Sequence, residues 1–320
     1  MSDDSIHKAA EIIRRGGLVA FPTETVYGLG ADAFNPMAVA RVFEVKQRPL
    51  FDPLIVHIGD RSEINKLVKE IPYDAERLIE RFWPGPLTLV LFKKDNVPDI
   101  VTSGLQTIAV RMPKHEMTLK LIQVAETPIV GPSANPFGYL SPTRAQDVRE
   151  QLGDQIDFIL DGGPCEVGVE STILSFAEEK PKLLRPGGIT LEEIEAIIGK
   201  VGLEVSHHKK PTAPGMLPRH YAPRTPILLD WKEEMKENLR DKRIGLLAFK
   251  EPNSLIPFSH IEILSKKGDL REAAANLFSA IRRLDNLGLD LILAEPVPEV
   301  GLGRAIMDRL RRASHKGAIN

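Results

Sequence analysis

Pro22-Thr23-Glu24-Thr25-Val26-Tyr27-Gly28 is the stretch on which the reading of this chain turns. Leu18 to Phe21, just before it, is a short apolar run of strand length that empties straight into a threonine-rich turn. In α/β sheets the carboxyl ends of strands are where ligands bind. The turn, with Lys46 and Arg48 after it, is therefore a candidate floor for an anion-handling active site. If the backbone stays extended, Thr23 and Thr25, at alternate positions, point the same way. The competing reading is a capped turn whose threonine hydroxyls bond to backbone.

Working outward, Ser5 can cap a first helix whose apolar positions Ile6, Ala9, Ala10, Ile12 and Ile13 share one face, with Gly16-Gly17 stopping it. Asn35-Pro36 pairs a capping residue with proline at the first helical position, starting a helix to about Lys46. Leu54 to Ile58, Leu87 to Phe92, Thr107 to Met112, Pro128 to Val130, Asp157 to Leu160, Ser171 to Phe176 and Lys182 to Leu184 read as strands. Helices fall near 62–69, 74–82, 116–126, 143–152 and 190–198, the last opened by Thr190 and Glu193 at capping-box spacing.

From His207 the composition changes. His207-His208-Lys209-Lys210 leads into a run holding Pro211, Pro214, Pro218 and Pro223, with Pro226 just after, and hydrophobic periodicity disappears. Such a segment is extended and semi-rigid, which marks it as a linker. Beyond it, Ile227–Leu229, Ile244–Phe249, Ile261–Leu264 and Leu289–Leu293 read as strands, alternating with helices near 231–240, 270–287 and 302–314. That alternation predicts a small α/β domain of the parallel-sheet kind.

The bulk numbers agree with two domains. At 320 residues the chain is long for one compact unit. With 42% hydrophobic and 27% charged residues it has the balance of a folded globular protein, not a disordered one. A net charge of -2 argues against a general nucleic-acid binder, which needs an excess of Lys and Arg. Cys165 is the only cysteine, so neither an internal disulfide nor a thiolate metal cluster can form. No apolar run approaches the roughly 18 residues of a membrane span, and the start Met1-Ser2-Asp3-Asp4 lacks the basic residues of a signal peptide. A cytoplasmic protein is expected.

No phosphate loop of the Gly-x-x-x-x-Gly-Lys-Ser/Thr type, no Gly-x-Gly-x-x-Gly and no paired-histidine metal helix is present. Turns at predicted strand ends carry the polar residues instead. Lys46 and Arg48 follow a helix C-terminus, where basic residues also simply complement the dipole. His57 ends a strand, a place where a satisfied histidine is the commoner finding. Trp83-Pro84-Gly85-Pro86 reads as a rigid structural turn. Arg111 closes an apolar strand and is suited to hold a carboxylate or phosphate bidentately, with a rim salt bridge as the alternative. Gly131-Pro132-Ser133-Ala134-Asn135-Pro136 only partly mimics a nucleophile elbow, since Asn135 stands where that motif has glycine. Gly168-Val169-Glu170-Ser171-Thr172 and Arg185-Pro186-Gly187-Gly188 complete the set.

In this order the motifs resemble the YrdC-like family, in its long two-domain form. The resemblance rests on Pro22 to Gly30, the pair Lys46 and Arg48 with the later Ser133 and Asn135, Phe82-Trp83-Pro84-Gly85-Pro86-Leu87-Thr88, Val169-Glu170-Ser171-Thr172-Ile173 and Arg185-Pro186-Gly187-Gly188. Pro214-Gly215-Met216 and Arg219-His220-Tyr221-Ala222-Pro223 match the long form's linker. It implies a twisted mixed-sheet catalytic domain over 1–205, a proline-rich linker or lid over 206–225, and a small Rossmann-like α/β domain over 226–320. The implied reaction joins L-threonine, bicarbonate and ATP into threonylcarbamoyl-adenylate and pyrophosphate, for threonylcarbamoyl modification of adenosine 37 in tRNA. Lys46, Arg48, Ser133 and Asn135 would be the catalytic tetrad. Threonine would contact Thr25, His57, Arg111, Ser171 and the backbone of Gly131. ATP would contact Arg48, Asp52, Thr107, Ser133, Ser141, Arg185 and Tyr221. Mg2+ is expected with ATP, its protein ligands not being readable, and the downstream transfer proteins are expected partners.

Two positions depart from the family. Asparagine is usual where Asp52 stands, and a carboxylate accepts but does not donate, so it repels a triphosphate unless Mg2+ or Arg48 screens it. Alanine is common where Gly131 stands, an exchange expected to matter little for a backbone contact. Three rival functions remain at this point. They are a non-catalytic module that binds RNA through a basic concavity, a hydrogenase-maturation carbamoyltransferase, whose zinc-finger cysteines the single Cys165 excludes, and a serine hydrolase acting through Ser133.

Overall fold

A computed structural model describes residues 3–204, 211–217, 220–229, 231, 241–252 and 257–314. The expected basic run His207–Lys210, Arg219 and most of the expected helix near 231–240 lie outside the described residues. The first half runs α1 (Asp3–Arg14), β1 (Val19–Phe21), β2 (Gly28–Asp32), α2 (Pro36–Lys46), β3 (Ile55–His57), α3 (Ile64–Leu67), α4 (Tyr73–Phe82), β4 (Leu87–Phe92), α5 (Asp99–Thr102) and β5 (Thr107–Arg111). It continues through α6 (Glu116–Ala125), β6 (Ile129–Val130), α7 (Ala145–Leu152), β7 (Phe158–Ile159), β8 (Thr172–Ser175), β9 (Lys182–Arg185), α8 (Leu191–Ile198) and β10 (Gly202–Leu203). The C-terminal part holds β11 (Ile227–Leu228), β12 (Ile244–Ala248), β13 (His260–Ile263), α9 (Leu270–Asp285), β14 (Leu291–Ala294) and α10 (Gly303–Ser314).

The strands form two sheets. The first is ten-stranded and mixed, in the order β10-β9-β8-β4-β5-β3-β6-β2-β1-β7. The second, β11-β14-β12-β13, is parallel throughout, as the strand–helix alternation predicts. Local chemistry explains the helix starts. The Asn35 side chain accepts from the Met37 and Ala38 amides at 3.1 and 3.2 Å, and Thr190 with Glu193 closes a full capping box. Ser5, expected as a cap, instead lies inside α1, because the helix already runs from Asp3 and its two acidic residues occupy the first turn. Gly16, at φ +79°, takes the left-handed turn that ends this segment.

Side-chain alternation gives the large sheet two different faces. Val56, Leu89, Leu91, Val110 and Leu174 join the main apolar core with residues of α2 and α4. On the other face the register sets His57 beside Arg111 and Ile173 beside Arg185. Part of that second face is apolar: Ile55, Val90, Ala109, Ile173 and Leu184 pack under Ala213 and Met216 of the linker. The C-terminal core is built on α9 and α10 and also takes in Val26, Leu140, Val169 and Tyr221. The two domains therefore share apolar contacts beside the Pro22–Gly28 turn. No helix among the described residues is long and apolar enough to cross a membrane.

Candidate functional site

The Pro22–Gly28 segment is not extended. Thr23 Oγ1 accepts from the Thr25 and Val26 amides at 3.1 and 3.2 Å and donates to the Val26 carbonyl at 2.7 Å. Thr23 thus takes the turn-capping role. Its neighbour Thr25 is freed for another: Thr25 Oγ1 accepts from Arg111 Nη1 at 3.0 Å and lines a pocket over the second face of the sheet. Gly28 to Gly30, read from sequence as the end of the turn, instead begins strand β2 (Gly28–Asp32), paired antiparallel with β1.

Arg111 reaches this pocket from the end of β5. Its Nε donates to the Gly85 carbonyl at 3.3 Å, and its Nη2 lies 2.8 Å from Glu24 Oε1. The turn Trp83–Pro86 is thus structural in a specific way, since Gly85 supplies one of the carbonyls that fix the guanidinium. The rim salt bridge and the ligand-facing position occur together in one side chain. His57 sits beside it, buried, edge-on to Phe21 with ring centroids 5.5 Å apart. Burial, with Arg111 nearby, pushes the imidazole well below the ordinary histidine range, so the ring is neutral at physiological pH. Gly131 and Ser171 complete this end, Ser171 Oγ lying 2.7 Å from Thr88 Oγ1 and accepting from Arg185 Nη2 at 3.1 Å.

The other end is cationic. Arg48 pairs with Asp52, Nη2 to Oδ2 at 2.9 Å, and also donates to the Asp52 and Pro53 carbonyls. Arg185 donates to the Ser171 carbonyl at 3.1 Å and the Pro214 carbonyl at 3.3 Å. Among the described residues no carboxylate stands within ion-pair distance of Arg185 or of Lys46. Burial pushes both groups below their ordinary ranges, and for Lys46 the neighbouring Arg48 adds to the effect. A buried cation without a counter-ion is costly, and an anionic ligand removes the cost.

Of the expected residues, Thr25, Arg48, His57, Arg111, Gly131, Ser133, Ser171, Arg185 and Tyr221 lie on the pocket lining. Five do not. Lys46 stands behind the Ser133–Asn135 loop, donating to both of those carbonyls at 2.6 and 2.5 Å. Asn135 donates to the Pro136 and Tyr139 carbonyls, which pins the same loop. Asp52 is turned onto Arg48, and Ser141 donates to Glu170 Oε1 at 2.5 Å. Thr107 is on the same sheet face as Arg111 but at the opposite end of β5, beside Phe92.

Among the lining residues with no role expected from sequence, two are ionisable, Glu170 and His220, and both sit inside quoted motifs. His220 is buried, its pKa pushed well down by burial and then by the field of Arg48, Lys46 and Arg185. Tyr221 occupies the left-handed region at φ +60°, and burial pushes its phenol up to about 12. Among the described residues its hydroxyl has no hydrogen-bond partner. With Pro214 and Gly215 these two residues roof the site and leave a cavity of about 40 Å³.

A two-domain α/β chain with a cation-lined pocket on a mixed sheet, roofed by its own interdomain linker, defines the class. A family model described as "Telomere recombination" matches residues 11–187, and one described as "Threonylcarbamoyl-AMP synthase, C-terminal domain" matches residues 189–315. The chain belongs to the threonylcarbamoyl-AMP synthase family. It is 48% identical to the threonylcarbamoyl-AMP synthase of Pyrococcus abyssi over 97% of this chain and 94% of that one. It is 43% identical to the Bacillus subtilis enzyme of the same name, over 98% and 94%. The crystal structure of P. abyssi Sua5 complexed with L-threonine superposes with a TM-score of 0.92, at 46% identity, covering 98% of this chain and 95% of that one.

Proposed function

We propose that this chain makes threonylcarbamoyl-AMP and pyrophosphate from L-threonine, bicarbonate and ATP. The observation that carries the reading is the division of one pocket into a hydroxyl- and imidazole-lined end at Arg111 and a cationic end at Arg48 and Arg185. The threonine amine takes up bicarbonate to give a carbamate and water. A carbamate oxygen then attacks the α-phosphorus of ATP, and pyrophosphate leaves. Both reacting partners are substrates, so the protein's contribution is alignment and charge neutralisation.

In this account Arg111 holds the threonine carboxylate, with Thr25, His57, Ser171 and the Gly131 backbone around the rest of the amino acid. Arg48, Arg185 and Ser133 receive the phosphates, while Lys46 and Asn135 fix the Ser133 loop and Lys46 adds its field from behind. The apolar patch of Ile55, Val90, Ala109, Ile173 and Leu184 offers the adenine a surface, with Thr107 farther along the same face. Mg2+ comes with ATP as part of the substrate. Among the described residues the one carboxylate on the lining, Glu170, already has both oxygens engaged, and no cluster of three or more His, Cys, Asp or Glu suited to a metal is present. That donor set fits an ion carried chiefly by phosphates and water.

We assign the catalytic domain to 1–205, the linker to 206–225 and the small domain to 226–320. The cavity is far below the roughly 300 Å³ or more that a drug-sized ligand needs, so the roof formed by Pro214, Gly215, His220 and Tyr221 withdraws to admit ATP and returns to exclude water from a labile product. The product supplies the proteins that transfer the threonylcarbamoyl group to tRNA, in the cytoplasm. Pyrophosphate release measured with threonine, bicarbonate and ATP omitted in turn tests the reading. Release that needs all three is expected. No release, with RNA retained on the protein, would favour the non-catalytic module.

A further inference from the structure

Glu170 sets the electrostatic problem of this pocket. It is the one carboxylate among the described lining residues, and an unscreened carboxylate there would repel a triphosphate. The screen comes from the other domain. Glu170 Oε2 accepts from Nε of Arg309, on α10, at 2.9 Å, and Arg309 is completely buried. The same guanidinium donates through Nη1 to the Pro186 carbonyl at 2.7 Å, next to Arg185, and pairs with Asp308 at 2.8 Å. Its central carbon lies 5.3 Å from the centre of the Tyr221 ring. One arginine of the small domain thus touches the pocket carboxylate, the Arg185 loop and the roof.

Domain docking alone does not call for this arrangement. The apolar contacts of Val26, Leu140 and Val169 with the C-terminal core already join the domains. A buried ion pair adds little net stability over well-packed apolar residues, because both charges must be desolvated. Burial pushes the Glu170 carboxyl up, but Arg309 and then Arg185 outweigh it and hold the group below its ordinary range, so it is charged when the nucleotide arrives. Less than one turn further along α10, Arg312 donates through Nη1 to the Leu217 carbonyl at 2.5 Å, and its backbone carbonyl accepts from the His220 amide at 3.4 Å. The helix that screens the floor therefore also holds the roof.

We propose that Arg309 is a positioning residue for the nucleotide: it cancels the charge of Glu170 and supports Tyr221 from beneath, so that the C-terminal domain supplies part of the surface on which the triphosphate binds. This rests on the reading of the cationic end as the ATP site. The test is steady-state pyrophosphate release by the full-length protein, varying ATP and threonine separately. Arg309→Met is expected to raise KM for ATP roughly tenfold or more, with a much smaller change in KM for threonine. Adding Glu170→Gln to Arg309→Met removes the charge that needed screening and is expected to recover most of that loss in KM for ATP, while the small effect on KM for threonine separates this role from a merely structural one. Should Arg309→Met fail to fold, Arg309→Lys keeps the charge and is expected to raise the same constant by less. An unchanged KM for ATP, equal rises for both substrates, or a double variant no better than the single one would overturn the inference alone. A wild-type protein that releases no pyrophosphate would overturn the ATP reading and the inference with it.

Discussion

Gly131 faces the His57 imidazole so closely that a methyl group on its Cα would stand 2.6 Å from Nδ1, and 2.7 Å from Cζ of Phe21. An exchange to alanine that matters little for a backbone contact therefore carries a side-chain cost in this chain. Backbone contact with the amino acid would survive the exchange, but the ring of His57 would have to move. Gly131→Ala is expected to raise KM for threonine roughly tenfold, about 1.4 kcal/mol of overpacking, with KM for ATP changed much less. Equal kinetic constants for the two proteins would contradict this.

His57 and His220 make stability depend on pH in a known direction. Both are pushed well below the ordinary histidine range, by burial first and then by neighbouring cations. In the unfolded chain they protonate near pH ~6.5. Between that value and their folded values the unfolded state binds more protons, so their contribution is complete above pH ~6.5 and drains away as pH falls below it. Urea unfolding between pH 7 and 5.5 should lose up to about 1.4 kcal/mol per pH unit for each histidine. His57→Gln and His220→Gln should each flatten the slope; a slope unaffected by both would be incompatible with two buried neutral rings.

Asp52 and Arg48 form an ion pair in which both side chains are almost wholly buried. Removing one partner strands the other, so Asp52→Ala is expected to cost about 3 to 5 kcal/mol in denaturant unfolding. Asp52→Asn keeps an acceptor for Arg48 and should cost less. Because Asp52 faces Arg48 and not the pocket, KM for ATP in Asp52→Asn should be no higher than in the wild type. A large rise would mean that the carboxylate itself meets the nucleotide.

The linker roof has its own test. The catalytic sheet carries apolar cores made only of residues before 205, so a chain cut there should fold. It is expected to release pyrophosphate but to yield less intact product per pyrophosphate, through hydrolysis in an unroofed site. An unchanged ratio of product to pyrophosphate would remove the lid from the account.

Much of this was legible in the sequence, for identifiable reasons. Strands such as Leu87–Phe92 and Thr107–Arg111 are long apolar runs with β-branched residues, and Asn35-Pro36 and Thr190 with Glu193 announce helix starts. Strand β2 was not legible, because Gly28-Leu29-Gly30-Ala31-Asp32 has turn-like composition and becomes a strand only by pairing with β1 and β6. The two-residue β10 depends likewise on its neighbour β9. In the site, motif order located Arg111, Ser171 and Arg185, but not which side chains of a motif face the ligand. Lys46 and Asn135 turn to backbone carbonyls that only the folded loop places near them. Glu170 looked like one more turn residue until Arg309 stood opposite it. For Arg309 a signal did exist. It lies three residues after buried Ile306 and next to buried Leu310, a charge on the apolar side of α10.

The most direct test of the central claim follows the atoms. The protein is supplied with L-threonine, carbon-labelled bicarbonate and ATP labelled at the α-phosphate, and the nucleotide product is isolated rapidly. The account predicts a single threonine-dependent species in which both labels travel together, with pyrophosphate released in equal amount. A threonine–AMP adduct lacking the bicarbonate carbon would contradict it. That result would mean that the carboxylate assigned to Arg111 had itself attacked the phosphorus.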